Sequence, residues 1–128
     1  MKKIAIAVIF AIPFFIGNSV FAQNGIQNFE ADVTVTSQYT CPSSGDMTGY
    51  IPILGITNTL YNGTGDYTLV WTGNFLGYQP CTVEVTTNEN SQGQYCHGIK
   101  TKDVSQSNND ITVQLDLIAQ GGGGGNEQ

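Results

Sequence analysis

The sequence predicts an all-β domain, a small antiparallel β-sandwich (Ig-like or jelly-roll-like) of about six to eight strands. Residues 29–36 and 111–117 alternate apolar and polar side chains at every step, which is the period of a strand with one buried face. Clusters of Gly, Asn, Ser, Asp and Pro interrupt the chain every 8–15 residues or so, as turns do in such folds. Beyond the first segment, no stretch carries the apolar stripe of a helix.

The N-terminal segment has the features of a Sec-type signal peptide. Two lysines precede an apolar run over residues 4–16, and small residues follow it. Val20 and Ala22 occupy the two small-residue positions before a cut, which predicts cleavage ahead of Gln23. The run is shorter than the roughly 20 residues of a membrane-spanning helix, and Pro13 interrupts it. These features favour cleavage over an uncleaved anchor.

The chain therefore divides into three segments: a signal peptide at 1–22, a single β domain at 23–120 and a glycine-rich tail at 121–128. The tail has almost no side chains to bury, so we expect it to be flexible. The tail could act as a spacer, but the simpler explanation is that it has no function, because chain termini tolerate such sequences.

Four further strands are expected between the two terminal runs, near 50–60, 66–72, 81–87 and 94–100. Turns are expected at 42–46, 62–66, 73–74, 88–93 and 105–110. The alternation is clearest over residues 82–86, which predicts a half-buried strand there.

The charge of the exported part excludes two classes of partner. Lys2 and Lys3 leave with the signal peptide, so two lysines remain against ten acidic side chains, a formal charge of −8. Nucleic-acid binding and adhesion to anionic lipid both need clustered cations, which this chain lacks. We expect no nucleic-acid partner and no membrane insertion after signal cleavage.

Three cysteines lie in the exported part, where disulfides persist. One bridge leaves one thiol over. Cys81 and Cys96 flank a predicted hairpin with a short loop, so this pair is the first candidate, although pairing Thr87 with Gln94 would require a bulge. Cys41 with Cys96 is the next.

No arrangement of residues predicts catalysis, a metal or a cofactor. Cys96 and His97 are neighbours on a predicted strand and therefore point to opposite faces, which rules out a thiol–imidazole pair. His97 is the only histidine, and no CxxC or HxxxH spacing indicates zinc. The Asn/Gly/Asp clusters do not match a calcium loop and are read as turns.

Aromatic residues supply the only binding-site candidates. Trp71 is expected in the core, because it lies on an alternating strand and is the largest side chain available to anchor a small domain. Tyr61, Phe75 and Tyr78 sit beside predicted turns, where exposed rings could stack on a sugar or fill a pocket of a partner. A place in the core is the favoured alternative for these aromatics, because tyrosine is commonly half-buried.

Three short stretches resemble the periplasmic C-type lysozyme inhibitors: Tyr39-Thr40-Cys41, Gly65-Asp66-Tyr67 and Val70-Trp71-Thr72-Gly73. The resemblance covers only these scattered positions. That family has a lysine where this chain has Thr72, so the inhibitory contact is not expected here.

The sequence thus predicts a secreted, non-catalytic β domain that acts through its surface as a structural, adhesive or partner-binding module. The alternative is a small carbohydrate- or ligand-binding domain that uses aromatics beside turns. Self-association by strand addition is a further expectation, because the runs at 29–36 and 111–117 contain no lysine or proline to protect a free edge. The two runs could instead pair with each other inside one monomer.

Overall fold

The computed structural model describes residues 27–119, so the predicted signal peptide, its cleavage site and the glycine tail lie outside the described residues. The described chain consists of seven strands joined by turns and contains no helix. The strands are β1 (Gln27–Ser37), β2 (Gly45–Ile51), β3 (Gly55–Tyr61), β4 (Gly65–Gly73), β5 (Gln79–Thr87), β6 (Gln94–Val104) and β7 (Asp110–Ala119).

All seven strands belong to one mixed sheet in the order β3-β2-β5-β6-β7-β1-β4. The all-β class is therefore confirmed, whereas the connectivity shows a single continuous sheet rather than two separate ones. Every pairing is antiparallel except that of β1 with β7, which is parallel. The prediction of a purely antiparallel sheet is wrong at this one place.

The two terminal runs pair with each other inside the monomer. β1 lies between β4 and β7, and the pairs Asp32–Asp110 to Ser37–Leu115 join it to β7. The C-terminal part of β7 pairs with β6, through the residue pairs His97–Asp116 to Gln94–Ala119. Neither run is an edge strand of the sheet, so the expectation of strand addition through these runs loses its structural basis. The two edges are β3 and β4.

The strand predicted near 50–60 is in fact a hairpin formed by the end of β2 and most of β3. A turn at residues 52–54 separates the two strands, closed by a hydrogen bond from the Leu54 N–H to the Ile51 carbonyl oxygen at 2.9 Å. Gly55 follows with a φ of 91°, a conformation that costs glycine little. Pro52 and Gly55 are typical turn residues, but the apolar residues around them made the stretch resemble a strand.

The core consists of the inward side chains of all seven strands, together with Phe75 from the β4–β5 connection. Residues 29, 31, 33 and 35 of β1 and residues 111, 113 and 115 of β7 are all buried, as their alternation predicts. Trp71 is also buried, which confirms it as a core residue. Its ring lies 5.9 Å from that of Phe29, and Phe29 lies 4.1 Å from Phe75, measured between ring centroids.

The sheet curls until its two edge strands approach each other, which gives a nearly closed barrel. At one end, the Trp71 indole N–H on β4 donates to the Gly55 carbonyl oxygen on β3 at 3.0 Å. At the other end, the rings of Tyr61 and Tyr67 stack with centroids 5.9 Å apart. Across the interior, a Cβ on Gly49 would lie 2.7 Å from the Trp71 ring, so β2 needs glycine there to admit β4.

Candidate functional site

The cysteines form one disulfide, between Cys41 and Cys96, with Cα atoms 5.7 Å apart. The predicted preference for Cys81–Cys96 is wrong, because the β5–β6 register places Cys81 opposite Lys102 and brings His97 opposite Thr86. Cys96 therefore lies at the other end of this strand pair. Cys81 is a buried free thiol, and burial raises its pKa to about 11. A thiol that is buried and protonated is a poor nucleophile.

His97 lies on the outer face of β6, where its Nε2 is 2.7 Å from a carboxylate oxygen of Glu84 on β5. Cys96 is buried on the opposite face and oxidised, so the two neighbours do not act together. Within residues 27–119, no group of three or more His, Cys, Asp or Glu side chains could hold a metal ion. The Glu84–His97 pair is partly exposed, and pairs of this kind contribute little to stability.

The structure places only one of the three tentative binding aromatics on the surface. Tyr78 is exposed, whereas Tyr61 and Phe75 are buried in the core. Of the two alternatives that the sequence left open, a place in the core holds for Tyr61 and Phe75, and exposure holds for Tyr78. Tyr61 is the last inward residue of β3, a position hidden by the missed hairpin. Phe75 folds back from its connection onto Phe29 and closes that end of the core.

Five large apolar side chains are exposed at one end of the barrel, each with between 44% and 64% of its surface accessible. We call this group the apolar end: it comprises Tyr50, Ile53, Ile56, Leu76 and Tyr78. Only Tyr78 was a sequence-based candidate. The other four lie in stretches whose apolar character is typical of a core. The missed hairpin explains the outward direction of Tyr50, Ile53 and Ile56, whereas Leu76 lies in the connection between β4 and β5.

The strand register brings these residues to the same end. Tyr50 pairs with Ile56 across β2 and β3, and both side chains face away from the core. The turn that contains Ile53 follows directly. A Cβ on Gly73, at the end of β4, would lie 2.7 Å from the Leu54 side chain of that turn. The segment 74–78 leaves β4 at this point and carries Leu76 and Tyr78.

Aromatic core residues pack beneath the apolar end. Beneath the segment 74–78, Phe75 packs against Phe29, and Phe29 packs against Trp71. Trp71 in turn holds the start of β3 through its hydrogen bond to Gly55. Tyr50 and Ile56 therefore project from paired strands, and the other three side chains project from two connections that contact the core. Binding residues on rigid supports lose less conformational entropy when a partner binds.

β3 reverses the usual distribution of polar and apolar side chains. Its inward residues Thr57 and Thr59 are only partly buried, whereas Ile56 and Leu60 face outward and are 64% and 76% exposed. Burying the outer pair would have been favourable by roughly 1.5–3 kcal/mol per side chain. The isolated domain does not gain this energy, which a contact partner could supply.

The region around the apolar end carries almost no charge. From residue 47 to residue 83 the sequence contains a single charged side chain, Asp66, although the chain is acidic overall. Asp66 lies at the start of β4, at the far end of that strand from residues 74–78. The segments that carry the apolar end are therefore uncharged, whereas β6 places Asp103 opposite Pro80 and Lys102 opposite Cys81 at the start of β5.

An open cleft lies between β6 and β7, at a part of the sheet where these two strands are not paired. This open cleft of about 510 Å³ is lined mainly by polar side chains, including Lys100, Lys102 and Thr112. The Lys102 ammonium donates a hydrogen bond to the Asp110 carbonyl oxygen at 2.6 Å. The cleft is wide open to solvent, and Asp110 also lines it.

Comparison with family models, with curated proteins and with solved structures finds no match to this chain. The resemblance to the lysozyme inhibitors therefore has no support from these comparisons. Among residues 27–119, no helix is long and apolar enough to span a membrane.

Proposed function

We propose that this chain is a secreted, non-catalytic β domain that binds a protein partner through the apolar end. The observation that carries the proposal is the cluster of five exposed apolar side chains at one end of the barrel. Monomeric proteins seldom leave such side chains grouped at one place unless the group contacts something. Two tyrosines belong to the cluster, and tyrosine is enriched at the centres of protein interfaces.

The chemistry of the described residues supports binding rather than catalysis. Two of the three cysteines are used in the disulfide, and the third is buried with a raised pKa. The only histidine pairs with the Glu84 carboxylate on an exposed sheet face. A disulfide suits an oxidising compartment, in agreement with the export signal that the sequence predicts.

Tyr78 and Tyr39 allow a direct test with matched positions. Both are exposed tyrosines, but Tyr39 lies between β1 and β2, at the opposite end of the barrel from Tyr78. Each would be replaced in turn by a photo-reactive phenylalanine derivative in the cells that export the protein. We expect a discrete adduct with one other protein from position 78 and none from position 39. Equal adducts at both positions, or none at position 78, would contradict the proposal.

A carbohydrate ligand is the second candidate, because the exposed Tyr50 and Tyr78 could each offer a ring face to a sugar. Saturable binding on a glycan array, lost in Tyr78→Ala and retained in Tyr39→Ala, would favour it. We place it second because Ile53, Ile56 and Leu76 offer a sugar no hydrogen bonds, whereas they suit an apolar protein surface.

A further inference from the structure

The hairpin formed by β6 and β7 is paired at both ends and open in between. Residues 94–97 pair with residues 116–119, and Ser105 pairs with Asn108 beside the turn. Both pairings belong to one register, so the seven residues between them on each side are separated without an insertion on either side. Over this interval β7 pairs with β1 instead. The cleft between β6 and β7 is therefore a feature of the sheet itself, enclosed by paired residues at both ends.

Two lysines on the inner face of β6 line this cleft. Lys102 lies opposite Cys81, and Lys100 lies opposite Val83, in the β5–β6 ladder. Directly opposite residues point to the same face of a sheet, and Cys81 and Val83 are both buried. The lysines thus occupy positions that apolar residues take elsewhere on this strand. Because the sheet is open beside them, Lys100 is nevertheless exposed and Lys102 is only half-buried.

The charge of this cleft is opposite to that of the chain. Lys100 and Lys102 are the only lysines beyond residue 3, and the sequence contains no arginine. With Asp110 as the one acidic residue of the lining, the cleft carries a net positive charge, whereas the whole chain carries −6. Among the described residues, Lys100 makes no hydrogen bond or ion pair. A carboxylate is therefore attracted to this cleft and repelled by most of the remaining surface.

The backbone of β7 supplies a further hydrogen-bond donor to the cleft. The Asn109 carbonyl oxygen accepts the Asp32 N–H of β1 at 3.0 Å, whereas the Asp110 carbonyl oxygen faces the other way, towards Lys102. Backbone groups alternate between the two sides of a strand, so Thr112 directs its N–H to the same side as Asp110. Thr112 has no strand partner on that side. A backbone N–H beside ammonium groups is a suitable donor to a carboxylate.

The cleft lies close to the apolar end. Tyr78 is followed directly by Gln79, the first residue of β5, and Cys81, the partner of Lys102, lies two residues further on. These steps correspond to about 7 Å along β5 and about 5 Å across to β6. A protein interface of standard size covers about 800 Å² on each partner, which extends well beyond this separation. One partner can therefore contact the apolar end and the cleft together.

We infer that the protein partner of the apolar end carries an acidic side chain, aspartate or glutamate, which enters the cleft and pairs with Lys100 and Lys102. This inference rests on the proposed function and adds the chemistry of the partner to it. The apolar side chains supply most of the affinity. The carboxylate fixes the orientation of the partner, because charge pairs at an interface contribute to specificity and to the association rate more than to affinity.

Charge reversal at Lys100, with a conservative variant as the control, tests the inference. The adduct yield from a photo-reactive residue at position 78 would be measured in the parent, in Lys100→Glu and in Lys100→Arg. Lys100 is exposed and has no partner among the described residues, so both variants should fold, which circular dichroism would verify. We expect the yield to fall about tenfold in Lys100→Glu and to change by less than about twofold in Lys100→Arg.

A photo-reactive residue in the cleft gives an independent measurement. Thr112 is exposed and lines the cleft, whereas Thr86 is exposed on β5, towards the end of that strand away from Gln79. Position 112 should capture the same protein as position 78, and position 86 should capture none. Equal yields in Lys100→Glu and Lys100→Arg, or no adduct at position 112, would overturn the inference and leave the apolar end as the contact site. Absence of the adduct at position 78 in the parent would instead contradict the proposed function itself.

Discussion

The indole N–H of Trp71 lies 3.0 Å from the carbonyl oxygen of Gly55, and this hydrogen bond joins the two edge strands of the sheet. The contact closes the barrel at the end that carries the apolar side chains. It also satisfies the only polar atom of a buried indole, which would be costly to leave unpaired.

Trp71→Phe should lower the free energy of unfolding by about 1–3 kcal/mol, because it removes this hydrogen bond and leaves a small cavity beside Phe29. Val70→Thr, on the outer face of the same strand, should cost less than about 1 kcal/mol. Urea unfolding followed by circular dichroism is the measurement, since Trp71 is the only tryptophan and its fluorescence is lost with it. Equal stability of Trp71→Phe and the parent would show that this contact does not hold the edges together.

The Cys41–Cys96 disulfide joins residues 55 apart in sequence. A loop of that length is expected to contribute about 4 kcal/mol in the chain-entropy model. Reductant should therefore lower the melting temperature of the parent and have no effect on the Cys41→Ser/Cys96→Ser variant, which should already melt at the lower temperature. A parent whose melting temperature is insensitive to reductant, although its disulfide is shown to be reduced, would refute this.

The buried Cys81 thiol should make stability fall at high pH. Its pKa rises from 9.0 to about 11 on folding, so between these values the unfolded chain releases a proton that the folded chain retains. The stabilising contribution is complete below pH 9 and is lost as the pH rises towards 11. The loss should approach roughly 2–3 kcal/mol.

Urea unfolding across this pH range is the measurement, with Cys81→Ala as the control. The variant should be less stable at neutral pH but should have a flatter pH profile. Burial also raises the pKa of Tyr61, with the Tyr67 phenolate as a second cause, so some slope should remain at the alkaline end in both proteins. Parallel profiles for parent and variant would show that Cys81 does not titrate as proposed.

Export should produce a mature chain that begins at Gln23. The expectation depends on Val20 and Ala22 before the cut and on the short apolar run that precedes them. Edman sequencing or intact mass of the protein recovered outside the cytoplasm measures this directly. A recovered chain that still begins at Met1, or that begins beyond residue 30, would contradict the predicted cleavage before Gln23.

The sequence was most informative where alternation was regular. The runs at 29–36 and 111–117 are strands, and their inward residues are buried as far as Leu115, because a strict period of two leaves one choice of inward face. Leu117, which the same alternation places inward, is exposed. Pairing between these two runs was one of the alternatives, but its parallel direction could not be predicted from the sequence. Alternation determines which face of a strand is buried and does not determine which strand lies beside it.

The candidate site was less predictable, for two physical reasons. The hairpin turn at 52–54 contains Pro52 and is followed by Gly55, two residues typical of turns. The apolar residues around them made the sequence resemble one long strand, which hid the outward direction of Tyr50 and Ile56. The disulfide depended on a register two residues away from the assumed one: Thr87 was paired with Gln94, whereas the observed ladder pairs Thr86 with His97. Spacing alone cannot fix either feature.

The central claim, that the apolar end binds a protein partner, is tested most directly by the crosslink yield from a photo-reactive residue at position 53. The yield would be measured in the parent and in a Leu76→Gln/Tyr78→Ser background. Both replaced side chains are largely exposed, so the unfolding free energy should change by less than about 1 kcal/mol. We predict that the adduct forms in the parent and is lost in the folded double variant. An undiminished adduct in that variant, or no adduct in the parent, would contradict the claim.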